Sequence, residues 1–75
     1  MTLDQLKAGE RGHIRRLTVQ GALRKRLQEM GFVSGAEVLV IKYAPLRDPV
    51  EYLIKGYHIS LRHEEAAQIL IDKID

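Results

Sequence analysis

There is no cysteine among the 75 residues, no tryptophan, and a single phenylalanine. Without thiols the chain can form neither a disulfide nor a thiolate metal site, and it has no cysteine nucleophile; a reducing cytosol suits it. No apolar run approaches the roughly 20 residues needed to cross a bilayer. The opening MTLDQLKAGE lacks the apolar stretch of a signal peptide. The expected location is therefore cytoplasmic, with any work at a membrane done peripherally through a partner. Also missing are a glycine-rich phosphate loop and a recognisable Ser/His/Asp context. No enzyme, no catalytic residue and no cofactor is expected.

What remains is one small domain, residues 1–75. A chain of this size buries only about 60–65% of its unfolded surface, so its core must be compact. The net charge of +2 hides an asymmetry: residues 1–26 carry seven basic side chains against two acidic ones, residues 27–75 five against eight. Such a distribution favours an anionic partner, or simply a solvated surface.

RLQEMGFVSG, residues 26–35, stands in front of the strand-like run AEVLVIKY. Ala22, Leu23, Leu27 and Met30 recur at helical spacing, opposite Arg24, Lys25, Gln28 and Glu29. Gly31 suits the left-handed position after the helix end, which makes Leu27 and Phe32 the apolar pair of a Schellman motif. Ser34-Gly35 supplies a further turn. The stretch specifies a shape and no chemistry.

Along the rest of the chain, Thr2-Leu3-Asp4-Gln5 has the form of a capping box opening one turn. A first strand is expected over residues 12–19, with imperfect alternation, then the helix over 22–30. Residues 36–43 form a second strand that is apolar on both faces, suited to the bent centre of a small barrel. Two prolines within five residues make 44–49 a loop. Residues 50–54 and 57–62 pair as a hairpin around Lys55-Gly56, with Tyr57, Ile59 and Leu61 directed inward. One helical turn at 63–66 and a last strand over 67–74 complete the chain. The expected fold is mainly β, a five-stranded SH3-like barrel, closed or nearly so, with one short helix between the first and second strands. An OB-type barrel is disfavoured because its helix falls between the third and fourth strands.

TLDQLKAGERGHI, RLQEMGFVSGAEV, YAPLRDPVEY and YHISLRHEEAAQI, in this order, resemble the FeoA family of small SH3-like proteins encoded with bacterial ferrous-iron transporters. The likeness covers nearly the whole chain, with departures at Val33, where proline is common, and Arg47, where glycine is frequent. It implies an accessory protein of ferrous iron uptake that acts on the cytoplasmic GTPase domain of a much larger ferrous-iron permease. A similar module forms the C-terminal domain of some iron-dependent repressors, which leaves a stand-alone accessory domain of that type as an alternative.

Candidate partner-binding residues are Arg24 and Lys25 on the helix and Tyr43, Pro45, Leu46, Arg47 and Pro49 in or beside the proline-bearing loop, where recognition residues concentrate. Leu23, Leu27, Met30 and Phe32 could line a groove, but an apolar helical stripe in so short a chain is first of all core. His13, His58 and His63 lack the spacing that puts two ligands on one helix face, so no dedicated metal site is expected. Weak transition-metal binding through His63 and Glu64 is the residual expectation. A rival from another class is a small basic barrel binding single-stranded nucleic acid, with Tyr43, Tyr52 and Tyr57 as stacking platforms. The modest total charge disfavours nucleic acid.

Overall fold

The computed structural model describes residues 1–43 and 48–75, Tyr43 by its backbone alone. A 3₁₀ turn, Leu3–Gln5, leads into β1 (Arg11–Leu17), α1 (Gly21–Glu29), β2 (Glu37–Tyr43), β3 (Val50–Ile54), β4 (Tyr57–Leu61), α2 (His63–Ala66) and β5 (Ile69–Ile74). The strands form one antiparallel sheet in the order β4-β3-β2-β1-β5, with β2 at its centre. The helix lies between the first and second strands, as expected, and begins at Gly21, one residue early.

β1 occupies residues 11–17 rather than 12–19, and its irregular pattern has a structural cause. A bulge between Ile14 and Arg16 leaves Arg15 as the extra residue opposite β5. Ile14 and Leu17 can then both point inward although they are three apart, and Arg15 and Arg16 both point outward. A second bulge, between Val40 and Lys42, bends β2 against β3. On β2 the two faces are unequal: Val38 and Val40 are fully buried, while Leu39 and Ile41 are half-buried. The last strand starts at Ile69, because α2 and the turn behind it use Ala67 and Gln68.

Among the described residues, all the buried side chains belong to one cluster, with Tyr52, Phe32, Leu3, Ile14, Leu27 and Ile69 among its largest members. Leu3 of the first turn and Leu6 just after it both belong to this cluster. That turn is half a capping box: the Gln5 side chain accepts from the Thr2 N–H at 2.8 Å, whereas the Thr2 hydroxyl turns to Asp4.

The end of α1 is a Schellman motif. The Phe32 N–H donates to the Leu27 carbonyl at 3.0 Å and the Gly31 N–H to the Gln28 carbonyl at 3.1 Å. Gly31 has φ +106°, and Leu27 and Phe32 are both fully buried. The Ser34-Gly35 turn then fastens to β1, the Gly35 N–H donating to the Ile14 carbonyl at 2.8 Å. Helix, turn and sheet are thus welded by backbone bonds into one frame.

Candidate docking surface

Arg24 and Lys25 sit on adjacent positions of α1 but differ in circumstance. Arg24 is half-buried and its Nη1 donates to the Leu17 carbonyl at 3.0 Å and, more loosely, to the Val19 carbonyl at 3.5 Å. It holds the helix start to the end of β1. Lys25 is exposed and pairs with no described residue. Arg26, one residue on, reaches Glu65 of α2 at 2.7 Å. Pro49 is half-buried beside Val50, and the Tyr43 backbone pairs with Val50 in the β2–β3 ladder. Pro45, Leu46, Arg47 and the Tyr43 side chain lie outside the described residues.

Of the apolar helical set, Leu27 and Phe32 are core, and Leu23 and Met30 pack half-buried against it. Met30 also lines an open groove of about 410 Å³ between the end of α1 and the β3–β4 hairpin, together with Gly31, Lys55, Tyr57 and Ile59. Tyr57 is 70% exposed, which corrects its expected inward placement. The alternation nevertheless identified its face. Cross-strand partners share a side of the sheet, and Tyr57 stands opposite fully buried Ile54. Along β4 the same face goes from exposed Tyr57 through half-buried Ile59 to buried Leu61. Strand β4 is a sheet edge, and at its hairpin end Tyr57 is left exposed although Ile54 opposite it is buried. Tyr52, by contrast, is fully buried, which removes it as a stacking platform.

A second, smaller concavity of about 150 Å³ lies between the bulged part of β1 and α1. Arg15, Arg16 and Arg24 line it with Gln28, Phe32 and Ser34. Both arginines of the bulge reach this surface because the extra residue breaks the alternation.

The imidazoles do not converge. His58 Nδ1 meets the Glu51 carboxylate at 2.6 Å across the β3–β4 ladder, the backbone N–H of His63 donates to the Asp48 carboxylate at 2.9 Å, and His13 is exposed on β1. Among the described residues no three metal-ligating side chains come together. Glu10 and Lys73 are joined at 2.7 Å. The hydrogen bond from Lys73, then that from the Lys7 N–H, holds the Glu10 carboxyl below the usual carboxylate range, and Glu10 in turn raises Lys73.

Residues 1–73 match the FeoA domain family. The chain belongs to the FeoA family. It is 47% identical over 74 residues to a Porphyromonas gingivalis protein described as a fusion of Fe(2+) transport protein A with the Fe(2+) transporter FeoB, a match that takes in 99% of this chain and 9% of the fusion. The chain thus spans under a tenth of that curated relative. Among solved structures it resembles the FeoA protein of Chlorobium tepidum, at TM-score 0.93 and 36% identity over 100% of this chain and 71% of that one. It also resembles the zinc-complexed FeoA of Stenotrophomonas maltophilia, described as an SH3 domain protein, at TM-score 0.86 and 28% identity over 96% and 89% of the two chains. The five-stranded FeoA sheet with its short helix is therefore SH3-like. Among the described residues no helix is long and apolar enough to cross a membrane.

Proposed function

We propose that this FeoA-family chain is a cytoplasmic accessory protein of bacterial ferrous iron uptake that docks on the GTPase-containing cytoplasmic part of a ferrous-iron permease. The observation that carries the reading is the fusion relative, in which a module 47% identical to this chain is covalently joined to a ferrous-iron transporter. Joining two modules raises their effective mutual concentration, which benefits a pair that must meet. The proposed surface is the hairpin groove lined by Tyr57, Met30 and Ile59, together with exposed Lys25. An exposed tyrosine over an apolar floor has the make-up of an interface anchor.

The test is a titration of isotope-labelled chain with the soluble GTPase domain of a permease from the same organism, with a short single-stranded RNA in parallel. Chemical-shift changes at the groove, α1 and residues 43–49, seen with the GTPase domain and not with RNA, support docking. Changes along residues 11–26 with RNA alone, abolished by salt, would instead establish a nucleic-acid barrel. Tyr57→Ala is expected to leave the fold intact and weaken docking at least tenfold. Unchanged affinity would remove the groove from the interface.

A further inference from the structure

The arginine-lined cleft between β1 and α1 collects positive charge that the fold itself uses only in part. A regular strand would send one of Arg15 and Arg16 outward; the bulge sends both. Arg16 pairs with no described residue. Arg15 meets Asp72 at 3.5 Å through side chains that are both well exposed, a contact that a better acceptor displaces at small cost. Arg24 is fixed from behind by the Leu17 and Val19 carbonyls through Nη1, which leaves its Nε and Nη2 donors for another group. The Ser34 hydroxyl and Gln28 amide stand on the same rim, and Phe32 and Ile14 contribute an apolar floor that strengthens charge pairing above it.

We propose that this cleft is a carboxylate-binding site that receives an Asp/Glu-bearing segment of the partner protein. The inference rests on the docking reading and specifies the chemistry the partner must bring. Guanidinium groups match carboxylates through paired, parallel N–H donors, and one of the three is already immobilised, which lowers the ordering cost of binding. The volume, about 150 Å³, suits one or two carboxylate groups and is small for a nucleotide. A nucleic-acid strand would call for a basic track along successive phosphates, whereas these residues form one compact cluster beside the acidic Asp72.

The experiment titrates isotope-labelled chain with a short acetylated peptide alternating Asp and Glu, with its Asn/Gln counterpart, and with inorganic phosphate. An Arg16→Glu chain is carried through each titration and through a titration with the GTPase domain. Shifts at Arg15, Arg16, Arg24 and Ser34 with the acidic peptide alone, weakened about tenfold in Arg16→Glu, are expected. Equal shifts with the amide peptide, or an Arg16→Glu chain that binds the acidic peptide as well as the parent, would overturn the site. Phosphate binding the same residues more tightly than the peptide would overturn it in favour of a free oxyanion. If the parent responds to the acidic peptide and not to the GTPase domain, the docking reading fails and the carboxylate site stands. If Arg16→Glu binds the GTPase domain as the parent does, docking stands and the cleft has no part in it. Because the Arg16 side chain is exposed and makes no described ion pair or hydrogen bond, its substitution leaves the fold unchanged, and an unaltered spectrum away from the cleft checks that.

Discussion

At the scale of single residues, Gly31 joins the local and the tertiary constraint. Its φ of +106° lies where a side chain is strained, and a Cβ built there would come within 3.3 Å of the Lys55 side chain. Lys55 is flexible and can retreat; the backbone conformation cannot change without opening the Schellman bonds to Leu27 and Gln28. Gly31→Ala is therefore expected to cost roughly 1–2 kcal/mol in urea unfolding, most of it conformational. A cost near zero would show that the helix end rearranges freely. Gly12 is constrained differently: a Cβ there would sit 2.9 Å from Ile71 Cδ1 and 3.0 Å from the Asp72 carbonyl oxygen, so β1 and β5 approach closely at that point. Gly31 was legible in the sequence because its requirement is local, set by the apolar pair at Leu27 and Phe32. The exposure of Tyr57 was not, because alternation along a strand assigns a face but says nothing about whether another element lies over it.

At the scale of elements, the same contrast separates what could be read from what could not. The helix, the Lys55-Gly56 hairpin and the α2 turn follow from periodicity and turn residues, and each stands within a residue or so of its expected bounds. The β1 bulge escaped because an extra residue looks, in sequence, like a weak strand, and only the register against β5 shows Ile14 and Leu17 on one face. Arg24, expected as a partner contact, also serves as a strut to the Leu17 and Val19 carbonyls, a role that depends on where the end of β1 lies. The ties between α1 and its neighbours should differ sharply in worth. Leu27 is fully buried beneath the sheet, so Leu27→Ala is expected to lose about 2–5 kcal/mol through lost burial and the cavity left behind. The Arg26–Glu65 pair, at 2.7 Å, joins α1 to α2, but the arginine is 57% exposed. A double-mutant cycle on Arg26→Ala and Glu65→Ala should give a coupling of about 0.2–1 kcal/mol. Coupling as large as the Leu27→Ala loss would mean that the ion pair, and not the apolar face, seats the helix.

At the scale of the whole molecule, the N-terminal segment and the last strand are stitched together. Thr2 bridges to Leu70, the Met1 carbonyl accepts from the Ile71 N–H at 2.9 Å, and Glu10 meets Lys73 at 2.7 Å. The last of these makes stability depend on pH. The folded chain holds the proton of Glu10 less tightly than the unfolded chain does, because Lys73 and the Lys7 N–H favour the carboxylate. Its contribution is therefore complete above the ordinary glutamate range and is lost as pH falls through the lowered folded value. Lys73, shifted upward by the same contact, contributes below the ordinary lysine range and loses its share only as pH rises through its raised folded value. Across neutral pH the pair is flat. In Lys73→Gln the principal cause of the Glu10 shift is gone, so parent and variant should differ in urea stability at about pH 7 and converge as pH falls through the lowered folded value of Glu10. Both side chains face solvent, so the difference should also shrink as salt is added at neutral pH. A gap that persists undiminished from neutral to acid would assign the effect of Lys73 to packing of its aliphatic stem along β5 instead of to its charge.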